Sequence, residues 1–107
     1  MLRTIAEFYG YESQSRQLIE EMAELTVAIN KLWRFDMDNR DYAGKKDVET
    51  HLFESACEEI ADVEIMLAQI KYLLRCEEEV ARQRERKISR QIKRMEGVTH
   101  EQKEIST

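Results

Sequence analysis

Two short acidic runs hold the residues of this chain best suited to chemistry: Glu20-Glu21-Met22-Ala23-Glu24 and, further on, Glu58-Glu59-Ile60-Ala61-Asp62. Each lies inside a stretch of helical apolar spacing, so Glu21 and Glu24, and again Glu59 and Asp62, fall three residues apart on one helix face. Like charges at that spacing repel, and four carboxylates gathered in one place would raise one another's pKa values. A divalent cation relieves both effects. Hard cations such as Mg²⁺ prefer oxygen ligands, keep several waters and bind through a few carboxylates together with substrate phosphates. Acidic pairs on solvated helix faces are common, and Glu77-Glu78-Glu79 reads as such a run. The repetition of E-E-M-A-E as E-E-I-A-D, each beside an apolar stripe, sets the first two runs apart.

The elements that must position these carboxylates are helices. Gly10, within Phe8-Tyr9-Gly10-Tyr11, breaks a short first helix whose aromatic residues are expected to cover one end of a bundle. From a cap at Ser13 or Ser15 a long helix is predicted to about Arg34, with Leu18, Met22, Leu25, Ile29 and Leu32 on its apolar face and the carboxylates at its border. Residues 35–47 lack periodicity and read as the main loop. Asp36 and Asp38 open it like a calcium-binding loop, but Asp41 stands where such a loop turns on Gly, and Asp47 where it closes on Glu. A second long helix, capped at Asp47 or Thr50, carries Phe53, Ile60, Val63, Leu67, Ile70 and Leu74. A third is expected from Val80 to about Glu96, ended by Gly97, with a mobile tail over 98–107.

Composition agrees with an all-α fold. The chain has 107 residues, 42% hydrophobic and 36% charged, with three glycines and no proline, which suits one helical domain, here residues 1–97. The sequence contains no run of about 18 uninterrupted apolar residues and no signal-peptide core, so a cytoplasmic protein away from membranes is expected. Cys57 and Cys76 have no metal-ligand spacing and read as reduced thiols in or near the core. A di-iron carboxylate bundle needs Glu-x-x-His, and the residues three before His51 and His100 are Val48 and Gly97. Charge is segregated: residues 1–70 hold 15 acidic and 7 basic side chains, whereas residues 71–107 hold 7 acidic and 10 basic. The overall charge of −5, and the few aromatics in the basic segment, disfavour nucleic acid as a partner.

The pair Glu21-x-x-Glu24 and Glu59-x-x-Asp62, each preceded by Glu and followed by Leu25 or Val63, resembles the paired motif of MazG-like all-α nucleoside triphosphate pyrophosphohydrolases. The resemblance extends through Gln17, Ala28-Ile29-Asn30-Lys31 and Asp62-Val63-Glu64-Ile65-Met66-Leu67, over roughly residues 9–95. It implies an antiparallel helical bundle, a homodimer or homotetramer, that binds Mg²⁺ (with Mn²⁺ able to substitute) and cleaves a (d)NTP between the α and β phosphates. Glu21, Glu24, Glu59 and Asp62 become the metal ligands, with Glu20 and Glu58 as candidates for water activation or support of the ligands. The span between the motifs is longer than is usual in the family, the extra length falling in 35–47.

A triphosphate also needs protein cations. Residues 82–94 carry Arg82, Arg84, Arg86, Lys87, Arg90, Lys93 and Arg94 against Glu85 alone, and Lys87, Arg90 and Arg94 share one helical face. Lys87-x-x-Arg90 resembles a basic pair of the family's third helix. With Lys31, and with Trp33 as a stacking surface, these are the substrate-binding candidates, although a lone Trp more often packs in a core or interface. A non-catalytic helical interaction module that keeps the bundle without turnover is the alternative function.

Overall fold

Apolar residues recurring every three or four positions, with no proline to interrupt them, carry the backbone into long helices. A computed structural model describes the backbone of residues 1–38 and 46–106, and the side chains outside 36–46 and 99–107. Three α-helices make up this structure: α1 spans Leu2–Asp38, α2 spans Lys46–Leu73 and α3 spans Glu77–Ser106. The described residues include no strand. The chain divides into two compact units, Met1–Leu74 and Arg75–Thr107.

In the first unit α1 and α2 pack antiparallel. Glu7 accepts a hydrogen bond from the Tyr72 hydroxyl, Gln14 bonds Gln69, and Glu21 meets Glu59 and Asp62, so the partner number on α2 falls as the number on α1 rises. The buried and half-buried positions include Gln14, Leu18, Glu21, Leu25, Ala28 and Leu32 on α1, and Leu52, Ala56, Glu59, Val63, Met66, Ile70 and Leu73 on α2. Steps of four and three describe both sets, which is the heptad seam of two helices packed side by side.

This seam differs from the expected apolar faces. Leu18, Leu25, Leu32, Val63 and Ile70 lie in it, but Met22 and Ile29 are exposed, as are Phe53, Ile60, Leu67 and Leu74. Each helix carries two overlapping apolar stripes, and the pairing buries the one that contains alanines and carboxylates. Ala28 and Ala56 permit close approach of the helices, which bulkier residues at those positions would prevent. Glu21 and Glu59 therefore stand in the seam itself and not at its border.

Helix boundaries bring further corrections. Gly10 interrupts α1 as expected, with φ 84° and ψ 170°, a conformation open to glycine and strained for other residues. Ser13 and Ser15 do not cap: the Ser15 hydroxyl donates back to the Glu12 carbonyl at 3.1 Å, a bond made inside a helix. Phe8, Tyr9 and Tyr11 are exposed, Phe8 packing edge-on against Tyr9 at 4.9 Å. The start of the expected loop is helical through Asp38, and α2 begins at Lys46, leaving Asp47 and Glu49 in its first turn, where negative charge complements the helix dipole. Residues 39–45 of that loop lie outside the described residues.

At the far end of α2 the chain turns through Arg75, with φ 53°, and the Cys76 carbonyl accepts the first bond of α3 from Val80. In the second unit, α3 continues through Gly97 to Ser106. Gly97 keeps helical geometry here, so the helix stop expected from its residue type is absent. Cys57 and Cys76 are free thiols as expected, although Cys57 is exposed and Cys76 half-buried.

Candidate metal centre

One turn of α1 and one turn of α2 bring the acidic runs together because both lie at the same level of the antiparallel seam. Carboxylate oxygens of Glu21, Glu59 and Asp62 all lie within 4.8 Å of one another. Glu21 and Glu59 are half-buried, while Asp62, one turn beyond Glu59, is exposed. Gln17, four residues before Glu21, donates its amide to Glu21 Oε1 at 2.8 Å and fixes that side chain from its own helix. The second oxygens, Glu21 Oε2 and Glu59 Oε2, are buried and have no hydrogen-bond partner among the described residues.

The cost of this arrangement falls on Glu59. Burial raises its pKa, and the charge of Glu24, contact with Glu21 and the charges of Glu21 and Asp62 raise it further. Buried carboxylate oxygens without donors are expensive. Three oxygen donors from two helices, two of them on carboxylates with an unsatisfied buried atom, match the preference of a hard divalent cation.

Glu24 is exposed and falls outside the converging trio. It lines a neighbouring cleft of about 370 Å³, together with Glu59. The floor of the cleft is apolar, from Ala23, Val27 and Ala28 on α1 and Leu52 on α2. Lys31, His51 and Ser55 add polar groups to the lining. His51, Ser55 and Glu59 are successive positions at steps of four, so one face of α2 carries all three. That spacing is present in the sequence, but nothing along the chain marks it as a cleft lining before α1 and α2 pair.

The other candidates are distributed as follows. Glu20 and Glu58 are exposed, each one residue from a converging carboxylate and rotated away from it by the helical step. Trp33 is 65% exposed and is not among the cleft residues. Lys87, Arg90 and Arg94 are exposed residues of α3, in the second unit. On that helix Glu79 engages Arg82 at 2.5 Å and Gln83 at 2.9 Å. Among the described residues the ion pairs are Arg82–Glu79 and Arg16–Glu12, so Glu79 absorbs one cation of the basic run and the others carry none of these contacts.

The first unit is thus an antiparallel helix pair with an acidic cluster in its seam. No protein-family model, no curated protein and no solved structure matches the chain. None of the helices among the described residues is long and apolar enough to cross a membrane.

Proposed function

We propose that the protein is a Mg²⁺-dependent nucleotide pyrophosphohydrolase, which splits a (d)NTP between its α and β phosphates to give a nucleoside monophosphate and pyrophosphate. The observation that carries this reading is the convergence of Glu21, Glu59 and Asp62 from two helices, with two buried oxygens lacking partners, at the edge of a cleft of ligand size. Glu21, Glu59 and Asp62 hold the cation, and Glu24 completes the acidic wall. When bound, Mg²⁺ (or Mn²⁺) neutralises phosphate charge and lowers the pKa of a water. Attack by water on the α-phosphorus forms one P–O bond and breaks the bond to the α–β bridging oxygen. The proton of that water leaves to solvent, with Glu20 and Glu58, exposed and turned away from the trio, as candidates to relay it on a carboxylate oxygen. Lys31 supplies a cation in the cleft, away from the carboxylate end. Cys57 and Cys76, both free thiols, suit the reducing cytoplasm.

Assembly belongs to the same reading. Among the described residues the first unit fully buries only Ala6, Ala28, Ala56, Val63 and Met66 as apolar core, while the leucines of the seam stay half-buried. Ile19, Met22, Ile29 and Trp33 on α1, with Phe53, Ile60, Leu67 and Leu74 on α2, form exposed stripes at steps of three, four and seven. A second copy laid on those stripes makes a helical bundle in a homodimer or homotetramer.

The deciding experiment is a panel of canonical and modified (d)NTPs incubated with Mg²⁺, with the products identified. Monophosphate and pyrophosphate are expected, with turnover abolished by Glu21→Gln and by Asp62→Asn. Nucleoside diphosphate and phosphate would refute the cleavage position, and undiminished turnover by both variants would refute the site. No hydrolysis of any nucleotide, with no metal-linked gain in melting temperature, would leave the non-catalytic interaction module.

A further inference from the structure

The cleft beside the carboxylates is chemically polarised along its length. Glu24 and Glu59 line one end, and seven residues along α1 and eight along α2 lead to Lys31 and His51. At the helical rise those distances are roughly 10–12 Å. Val27 and Ala28 lie between the ends on α1, Ala23 beside Glu24 and Leu52 beside His51 add apolar lining, and Ser55 is midway along α2.

A nucleotide whose α-phosphate sits at the carboxylate cluster can direct either its pyrophosphate or its nucleoside along this cleft. Pyrophosphate carries several negative charges, and an apolar floor with a single lysine would desolvate them with little return. A base and sugar lose little by leaving water and gain from covering the apolar floor. The nucleoside therefore takes the cleft, and the pyrophosphate faces solvent.

The far end then reads the base. A lysine ammonium has three donors and no acceptor, whereas a neutral imidazole offers one donor and one acceptor. Uracil and hypoxanthine present a carbonyl acceptor beside a ring N–H donor. Cytosine and adenine reverse this, with an amino donor beside a ring nitrogen acceptor. Lys31 and His51 together complement the first pattern, and Lys31 opposes the amino group of the second.

Resting on the pyrophosphohydrolase reading for the placement of the phosphates, we infer that the α1–α2 cleft is the nucleoside site, and that Lys31 and His51 select bases with a carbonyl-and-N–H edge over those with an amino edge. The test uses two pairs that differ only at that edge, UTP against CTP and ITP against ATP. The protein is expected to favour the first member of each pair by about tenfold in kcat/KM, the effect of one hydrogen bond to a charged donor. Lys31→Met should remove the preference, mainly through KM, and His51→Ala should reduce it. A wild-type enzyme that hydrolyses all four triphosphates equally, or whose preference survives both variants, overturns the inference and leaves the pyrophosphohydrolase reading intact. A metal-free binding assay with the nucleosides uridine, cytidine, inosine and adenosine separates the two in the other direction. Selective binding that is lost in Lys31→Met, in a protein without hydrolysis, upholds the cleft and refutes the activity. Absence of both selective binding and hydrolysis overturns the inference together with the activity.

Discussion

Burial, together with the charges of Glu24, Glu21 and Asp62, holds the Glu59 carboxyl above its ordinary value. A carboxyl whose pKa is higher in the folded chain binds more protons there than in the unfolded chain. Its contribution to stability is fully present below the unfolded value of about 4.3 and is lost as pH rises through the raised folded value. Glu79 has the opposite sign, since Gln83 and then Arg82 favour its charged form, but it is common to wild type and variant and cancels in their difference. Urea unfolding of the metal-free protein between about pH 4 and 8 should therefore show Glu59→Gln converging on wild type at the acid end and exceeding it in stability at the neutral end. Equal stabilities at neutral pH would show that the cluster is not strained. If Mg²⁺ binds the trio as proposed, adding it should narrow the gap at neutral pH by stabilising the wild type more than the variant, which lacks the Glu59 carboxylate.

At the level of the helix pair, the telling contact is polar. Gln14 donates its amide to Gln69 Oε1 at 2.6 Å with both side chains buried, Gln69 being 2% exposed. Its second bond, to the Met66 sulfur at 4.0 Å, is weak. A buried bond between two amides forms at one alignment only and so favours this register of α1 on α2, and with it the level at which Glu21 meets Glu59. Gln69→Leu alone strands the Gln14 amide and is expected to cost about 1–3 kcal/mol, whereas Gln14→Leu combined with Gln69→Leu should recover most of that loss. A double-mutant cycle by urea unfolding measures the coupling. A coupling near zero would mean that the alanines and the apolar seam set the register without help.

For the whole molecule, the exposed stripes predict self-association. Sedimentation of the wild-type protein should give a dimer or tetramer, and Ile29→Glu combined with Leu67→Glu should shift it toward monomer with a lower melting temperature, since the first unit has little core of its own. A wild-type monomer at micromolar concentration, with cooperative unfolding, would show that the five buried apolar residues suffice. The outcome also bears on α3, whose Ile88, Ile92 and Met95 are exposed on a helix otherwise rich in Arg and Lys.

The sequence by itself determined the helices, the break at Gly10 and the two acidic pairs, because periodicity, proline absence and like-charge spacing are local properties that no packing partner has to supply. Boundaries were less legible: Gly97 and the aperiodic residues 35–38, with Asp36 and Asp38, resemble helix stops, yet the surrounding turns supply enough hydrogen bonds to carry the helix through them. Only the tertiary structure decided which of two overlapping stripes becomes the seam, since either could be buried on an isolated helix. That choice draws Glu21 and Glu59 inward, brings Asp62 to them and leaves Glu24 beside the cleft. It also sets Lys31, His51 and Ser55 around one cavity, a grouping that depends on antiparallel register between residues about twenty or more apart in the chain and has no signature along it.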